Sequence, residues 1–308
     1  MPDRRYFEKI VRDTGFRFDV LEKAHHLIKI LQCIFSQSNT RDNLTLKGGT
    51  ALNFIYLNIP RLSIDIDFNL TDVSVEAEVK QVVKEIDGQI EQIGTKLGYL
   101  VEDATSSRIW HRKILRYQTL YGPMDFIKIE LDKIERVPLM ERTQKKILNL
   151  FPDLGDFSIY TYNLQELIAM KVKALFDRGH PRDLFDLYKL SSMVLEPRRL
   201  IDFVVVYSCF TLQGFDLTDL TEKASSITED NFVQEVIPFL RSSEVVDLYR
   251  VKSTVVDFLR QIYSGEDSRH REFLNDFRAG KLRLDLLPEE FRNKVRVHPA
   301  INFWLEMR

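Results

Sequence analysis

The stretch LKGGTALNFIYLNIPRLSIDIDFNL, residues 46–70, decides how the first half of this 308-residue chain folds. A glycine pair is followed by a short amphipathic run, a proline, and two aspartates that flank one isoleucine. This pattern predicts a short strand, a glycine turn, a helix from near Thr50 to about Leu57, and a second strand over LSIDIDFNL after Pro60. The order of strand, turn, helix and strand indicates a domain of mixed α and β structure.

The second predicted strand carries two carboxylates on one face. Because side chains alternate across a strand, Asp65 and Asp67 share a face, with about 6.6 to 7 Å between their α-carbons. Such a pair is costly without a cation between them, and a divalent cation prefers oxygen ligands. Gly48 and Gly49 let backbone N–H groups approach a phosphate at the start of the helix. Each motif alone is common in ordinary proteins, but together they predict a site for a nucleoside triphosphate with Mg²⁺.

Two other phosphate or metal motifs are excluded. Asp65, Asp67, Asn69 and Glu76 occupy positions 1, 3, 5 and 12 of a calcium-binding EF-hand loop, but Leu70 stands where that loop needs glycine. The sequence KGGT also lacks the G-K-[ST] order that places a lysine on the phosphates in a Walker A motif.

A third carboxylate is offered by the sequence IKIELD within a strand predicted over residues 125–131. Glu130 and Asp132 share one face of this strand, and a third acidic group commonly assists two-metal group transfer. We prefer Glu130, but the sequence leaves the choice open, and acids on an exposed strand face are also ordinary.

A strand predicted over residues 107–117, SRIWHRKILRY, carries a run of cations beside aromatic residues. Such a run is a candidate local surface for RNA, although an edge strand with a solvated basic face explains it equally well. The cations are Arg108, His111, Arg112, Lys113 and Arg116.

Composition favours a cytoplasmic protein. Lys and Arg number 44 against 46 Asp and Glu, so a net charge of −2 gives no general attraction to nucleic acid. Cys33 and Cys209 lie far apart in apolar sequence, which fits buried thiols in a reducing compartment. The charged N-terminus and the absence of about 18 consecutive apolar residues predict no membrane partner.

The second half of the sequence is helical in character. Pro152 and Gly155 lie between the first half, with its mixed α and β pattern, and the helical second half. We therefore expect one domain over residues 1–155 and another over residues 156–308. Asn163 is an expected N-cap with Glu166 as its capping-box partner, and Gly179 is the expected C-cap of the helix LQELIAMKVKALFDR. Further helices are expected over residues 182–193, 197–209, 229–240 and 244–262.

Charged residues of these helices are candidates for binding phosphate. Lys171 and Arg178 share a helix face and could contact a triphosphate from the second domain. Arg182, Asp183 and Asp186 open the next helix, where acids also favour the helix dipole without any catalytic role.

Together, KGGTALNFIY…RLSIDIDF and LQELIAMKVKALFDRGHPRDLFDLY resemble the AbiEii/AbiGii toxin family of nucleotidyltransferases, within the DNA polymerase β-like superfamily. The tail FLNDFRAGK…VHPAINFW resembles the ending of that family, so the likeness runs from about residue 40 to the C-terminus. It implies an α+β fold, in which an N-terminal polymerase β-like domain with a small mixed sheet precedes a mainly α-helical domain that closes the active-site cleft.

The resemblance also implies roles for individual residues. Nucleotide contacts fall on Gly48, Gly49, Thr50, Arg61, Ser63, Lys171, Arg178, Arg182 and Asp186. Metal ligands fall on Asp65 and Asp67, with Glu130 as our choice for the third. Catalytic roles fall on Asp65, Asp67, Lys171 and Asp183, with Glu130 or Asp132.

The implied activity is the transfer of nucleotides from an NTP to an RNA, such as the 3′ end of tRNA. The resemblance implies that this activity depends on two bound Mg²⁺ ions. Such an enzyme would be the toxin of a toxin–antitoxin or phage-defence system, with a cognate antitoxin protein as a partner. The alternatives are transfer to a protein or small molecule, and a non-catalytic NTP-binding module.

Overall fold

The computed structural model describes residues 2–36, 41–73, 76–193, 196–212 and 214–307. The chain divides into two compact units that exchange short segments along the sequence. Unit 1 comprises Met1–Arg136, Arg142–Thr161 and Pro238–Glu244, and unit 2 comprises Val137–Glu141, Tyr162–Ile237 and Val245–Arg308. The domain boundary at residue 155 stays a prediction.

Unit 1 is built on one mixed sheet of seven strands within its described residues. The strands are β1 (Leu44–Lys47), β2 (Asp65–Leu70), β3 (Leu100–Ser106), β4 (Trp110–Gln118), β5 (Met124–Asp132), β6 (Thr143–Lys146) and β7 (Ser158–Thr161). Their order in the sheet is β3-β4-β5-β2-β1-β7-β6, so β2 is the central strand. It runs antiparallel to β1 and parallel to β5.

The helices of unit 1 are α1 (Arg4–Thr14), α2 (Phe18–Phe35), α3 (Gly48–Ala51) and α4 (Glu76–Lys96), and a π-helical stretch, Leu52–Tyr56, continues α3. The helix predicted from Thr50 thus begins two residues earlier. It ends before Pro60, where Asn58 and Ile59 both adopt a φ of +55°. The following strand begins at Asp65, later than predicted.

Unit 2 is helical throughout its described residues. Its helices are α5 (Leu164–Arg178), α6 (Pro181–Leu190), α7 (Pro197–Ser208), α8 (Leu217–Ser226), α9 (Glu229–Glu235), α10 (Leu248–Tyr263), α11 (Ser268–Arg278), α12 (Glu289–Arg296) and α13 (Pro299–Glu306). The aromatic tail packs into this unit, since Phe273, Phe277 and Phe291 are buried and the rings of Phe203 and Phe291 lie 4.8 Å apart. The mixed sheet and the helical unit confirm the predicted α+β fold class.

Both ends of α5 form as the sequence predicts, but its capping box does not. The Asn163 side chain accepts the Glu166 N–H at 2.9 Å, and Gly179 caps the other end at a φ of +58°. The Glu166 carboxylate, however, accepts the N–H of Leu139 at 2.8 Å and the hydroxyl of Tyr207 at 3.0 Å. This carboxylate therefore ties α5 to the segment Val137–Glu141, a tertiary role that the capping-box pattern did not reveal.

Cys33 and Cys209 are both free thiols, as the sequence predicts, but only Cys209 is buried and Cys33 is partly exposed. Among the described helices, none combines the length and the apolar character that crossing a membrane requires.

Candidate active site

Three carboxylates lie together on one side of the central strands of unit 1. In the parallel pairing of β2 with β5, Asp67 lies opposite Glu130 and Asp65 lies opposite Lys128. Residues that are paired in register point to the same side of a sheet, so Asp65, Asp67 and Glu130 share one side. Ile66 is buried on the other side of the sheet. We call Asp65, Asp67 and Glu130 the carboxylate cluster.

Two cations contact this cluster. The Lys128 Nζ lies 3.8 Å from Asp65 Oδ2 and 3.7 Å from Glu130 Oε2. From β4, Arg112 donates Nε and Nη2 hydrogen bonds of 3.0 and 2.8 Å to the same Glu130 oxygen. The alternation of IKIEL already indicates that Lys128 shares a strand face with Glu130.

The electrostatics of the cluster differ between its members. Burial raises the pKa of Asp67, and the negative charges of Asp65 and Glu130 raise it further. Burial also raises the pKa of Glu130, but the hydrogen bond from Arg112 and the charge of Lys128 outweigh it and lower the pKa overall. Glu130 therefore stays ionised. A bound cation would stabilise the ionised form of Asp67, which burial and its acidic neighbours disfavour.

The second candidate for the third carboxylate occupies a different place. Asp132 lies opposite Asn69, two residues further along β5. Its Oδ1 accepts the N–H groups of Ile134 and Glu135 at 2.9 Å, and its Oδ2 lies 3.2 Å from the Lys47 Nζ. The Asp132 side chain is thus engaged in holding the turn after β5.

The glycine turn packs directly against the carboxylate cluster. Gly48 adopts a φ of +71°, and a Cβ added there would lie 2.5 Å from Asp67 Oδ2. A Cβ added at Gly49 would lie 2.7 Å from the Arg61 Nη2. Only glycine at position 48 leaves open the space beside Asp67.

Arg61, Ser63 and Thr50 form the buried support of this turn. The Thr50 hydroxyl lies 2.9 Å from Ser63 Oγ and also donates to the carbonyl of Asp65. These bonds join α3 to the start of β2, so the hydroxyl of Thr50 has a structural role in this arrangement. Of the residues predicted to bind nucleotide, the structure therefore brings Gly48, Gly49, Thr50, Arg61 and Ser63 together beside the cluster.

The donor atoms of the cluster suit a hard divalent cation such as Mg²⁺, because all three side chains are carboxylates. Lys128 lies beside two of them, Asp65 and Glu130. Among the described residues, a tighter group is formed by Asp87, Asp103 and His111, which offer one ligand atom each, and these atoms lie within 4.8 Å of one another. Lys113 Nζ lies 3.1 Å from Asp87 and 2.6 Å from Asp103, so an ammonium already neutralises that group. We therefore interpret it as an ion-pair network, and the carboxylate cluster stays the candidate for binding a metal ion.

The cations predicted as a basic surface on residues 107–117 do not lie together on one face. Alternation along β4 divides its cations between the two sides of the sheet, and acids pair with them on both sides. His111 and Lys113 contact Asp87 of α4, whereas Arg112 contacts Glu130 and Arg116 contacts Glu102. The acidic partners belong to other helices and strands, so the sequence of β4 alone does not predict these ion pairs.

In unit 2, the charged residues predicted on α5 and α6 form a buried ion cluster of Lys171, Asp183 and Asp186. Lys171 Nζ lies 2.8 Å from Asp183 Oδ1 and 3.1 Å from Asp186 Oδ2, and Arg178 Nε lies 2.7 Å from Asp183 Oδ2. Burial raises the pKa of Asp183, but Lys171 and Arg178 together hold it well below its usual range. Arg182 Nη2 lies 4.0 Å from Glu235 Oε2. These contacts lock α5 against α6.

The structure is similar to solved structures of other proteins. The chain is similar to MenT4, a nucleotidyltransferase toxin from Mycobacterium tuberculosis H37Rv, with 17% identity, 99% of each chain covered and a TM-score of 0.68. It is also similar to JHP933 from Helicobacter pylori, with 16% identity, 81% of this chain and 94% of that chain covered, and a TM-score of 0.49. Such low identities bear on the fold alone. No curated protein matches the sequence significantly.

A sequence profile of the family described as "Nucleotidyl transferase AbiEii toxin, Type IV TA system" matches residues 29–279. This range includes the glycine turn, the carboxylate cluster and the buried ion cluster. The chain therefore belongs to the AbiEii family of nucleotidyltransferase toxins of type IV toxin–antitoxin systems, the family that its motifs resemble.

Proposed function

We propose that this nucleotidyltransferase transfers nucleotides from an NTP to the 3′ hydroxyl of an RNA, such as the 3′ end of tRNA, with Mg²⁺ held by the carboxylate cluster. The observation that carries the proposal is the register of β2 and β5, which sets Asp67 opposite Glu130 and leaves Asp65 on the same side. An open glycine turn adjoins these three oxygen donors.

In the reaction, the hydroxyl oxygen attacks the α-phosphorus, the bond from this phosphorus to the bridging oxygen breaks, and pyrophosphate leaves. The backbone N–H groups of Gly48 and Gly49 lie at the start of α3, where a helix favours bound phosphate. When bound, Mg²⁺ would lower the pKa of the attacking hydroxyl and offset the charge that develops on the phosphates.

Glu130 is ionised at neutral pH and can therefore receive the proton of the hydroxyl, although its lowered pKa makes it a weak base. Arg112 fixes the Glu130 side chain through two hydrogen bonds to one oxygen. Asp65 and Asp67 are then the remaining metal ligands. The contacts of Thr50 and Ser63 with each other give these residues the role of holding the turn in place.

Modification of the tRNA 3′ end would block aminoacylation, and this accounts for toxicity and for a role in phage defence under the control of a cognate antitoxin. Lys171, Arg178, Arg182, Asp183 and Asp186 stay predictions as nucleotide contacts or catalytic groups. The buried ion pair between Lys171 and Asp183 supports a structural role for these two residues.

The test is to incubate the protein with each labelled NTP, Mg²⁺ and total tRNA, and to follow both RNA labelling and pyrophosphate release. We expect labelled tRNA, no labelling of tRNA whose 3′ end was oxidised with periodate, and loss of labelling in Asp67→Asn. Asp156→Asn is a matched control because Asp156 is exposed and pairs with Lys146 on the surface. Label on protein in a lysate would contradict the RNA acceptor, and NTP binding without pyrophosphate release would contradict turnover.

A further inference from the structure

Lys128 is the cation that joins two strands of the carboxylate cluster. It lies on β5 directly opposite Asp65, and its Nζ is 3.8 Å from Asp65 Oδ2 and 3.7 Å from Glu130 Oε2. The ammonium therefore lies between two of the three carboxylates that the proposed function assigns to metal binding. A divalent cation bound by these oxygens and the Lys128 ammonium satisfy the same negative charges.

Arg112, the other cation, contacts the cluster differently. It reaches Glu130 alone, through a fork of two N–H donors, and its guanidinium lies 4.6 Å from the centre of the Trp110 ring. A guanidinium held in this way is fixed in orientation, whereas a lysine ammonium is a point charge on a flexible stem. Lys128, about a quarter exposed, is thus the cation that a metal ion can displace.

We propose that Lys128 is the resident counter-cation of the carboxylate cluster, and that a divalent metal ion must displace its ammonium from Asp65 and Glu130 in order to bind. Lys128 is then a positioning residue that lowers the metal affinity of the free enzyme. It also keeps the three carboxylates partly neutralised when no metal is bound. The inference rests on the proposed function, because that proposal assigns the metal to this cluster.

The experiment measures Mn²⁺ binding to the full-length protein without nucleotide, by electron paramagnetic resonance of the free ion. The variants are Lys128→Met, which keeps the stem without the charge, and Lys128→Arg, which keeps the charge. Lys146→Met is the matched control, since Lys146 is an exposed lysine on β6 that pairs with Asp156. Asp67→Asn, alone and with Lys128→Met, shows whether binding occurs at the cluster.

We expect Lys128→Met to bind Mn²⁺ about tenfold more tightly than the unmodified protein, as removal of one nearby positive charge implies. Lys128→Arg and Lys146→Met should bind like the unmodified protein, and Asp67→Asn should weaken binding in both backgrounds. A thermal melt gives an independent readout: Mn²⁺ should raise the melting temperature of Lys128→Met more than that of the unmodified protein.

The failures are distinguishable. If Lys128→Met binds Mn²⁺ no more tightly than the unmodified protein while Asp67→Asn still weakens binding, the role of Lys128 is wrong and the metal site stands. If Asp67→Asn changes Mn²⁺ binding in neither background, the assignment of the metal to the cluster is wrong, and the inference about Lys128 fails with it.

Discussion

Glu130 lies directly opposite Asp67 in the parallel pairing of β5 with β2, whereas Asp132 lies opposite Asn69. A displacement of the pairing by two residues would leave every side chain on the same face but would exchange these two acids. The register of the two central strands is therefore what distinguishes the two candidates for the third carboxylate, and it favours Glu130.

Substitution of these two acids should have unequal effects. We expect Glu130→Gln to lower the rate of nucleotide transfer about 100-fold or more, because it removes an ionised proton acceptor and metal ligand. Asp132→Asn should lower the rate less than about tenfold and act through stability, at a cost of about 1 kcal/mol for the weakened turn. Initial rates at saturating Mg²⁺ and thermal unfolding of both variants check this. A larger rate loss in Asp132→Asn would reverse our assignment.

Gly48→Ala should disable the site for a reason that is not backbone strain alone. An alanine at Gly48 would adopt an unfavourable positive φ and would place its Cβ 2.5 Å from Asp67 Oδ2, so the Asp67 carboxylate must move. Gly98→Ala is the matched control, because Gly98 has a φ of +80° with no atom within 4 Å of an added Cβ. Both variants should lose about 1 to 2 kcal/mol of stability.

Transfer activity separates the two glycine variants. We expect Gly48→Ala to fall at least tenfold in activity and Gly98→Ala to keep most of it, when both are measured well below their melting temperatures. Equal activity in the two variants would show that the contact between the turn and Asp67 is not needed for the reaction.

Local periodicity was enough to predict much of the site. The alternation of SIDIDF placed Asp65 and Asp67 on one face without any knowledge of the rest of the sheet. The caps at Asn163 and Gly179 likewise depend on neighbours within a few residues, and both formed. The position of the glycine turn and the acids within one stretch connected them, and the family profile confirms the resemblance to the AbiEii family.

What the sequence did not reveal depends on pairing between distant segments. Glu130 is more than sixty positions from Asp67, so no local pattern sets their register. Lys113 and His111 form ion pairs with acidic residues of α4, which lie over twenty residues away in the sequence. For the same reason, the Glu166 carboxylate accepts hydrogen bonds from the N–H groups of Leu139 and Met140 and not from the backbone N–H of its N-cap.

Lys171 offers a test of a structural against a catalytic role. Lys171→Met would leave Asp183 and Asp186 buried without their shared cation, and breaking a buried ion pair typically costs about 3 to 5 kcal/mol. Lys173→Met, on the same helix, removes a more exposed pair with Asp177 and should cost less than about 1 kcal/mol. Denaturant unfolding gives both values. An inactive Lys171→Met of undiminished stability would favour a direct nucleotide contact.

The buried Glu166 should give unit 2 a distinctive dependence on pH. Burial raises its pKa from 4.5 to about 7, although hydrogen bonds from the Leu139 N–H, the Tyr207 hydroxyl and the Met140 N–H lower it. Between these two values the folded protein holds a proton that the unfolded chain has released. The free energy of unfolding contributed by Glu166 must therefore fall as pH rises from about 5 to about 7, and stay level above that range.

Glu166→Gln removes the titrating group while keeping an oxygen that accepts hydrogen bonds. We expect the difference in unfolding free energy between the unmodified protein and Glu166→Gln to shift by about 2 kcal/mol from pH 5 to pH 8, to the disadvantage of the unmodified protein. Chemical unfolding at several pH values, with Glu222→Gln as a control on the less buried helix α8, measures that difference. Parallel curves for the unmodified protein and Glu166→Gln would mean that Glu166 keeps an ordinary pKa despite its burial. In that case its hydrogen bonds to the segment Val137–Glu141 would be those of a permanently ionised carboxylate, which compensate fully for the loss of water.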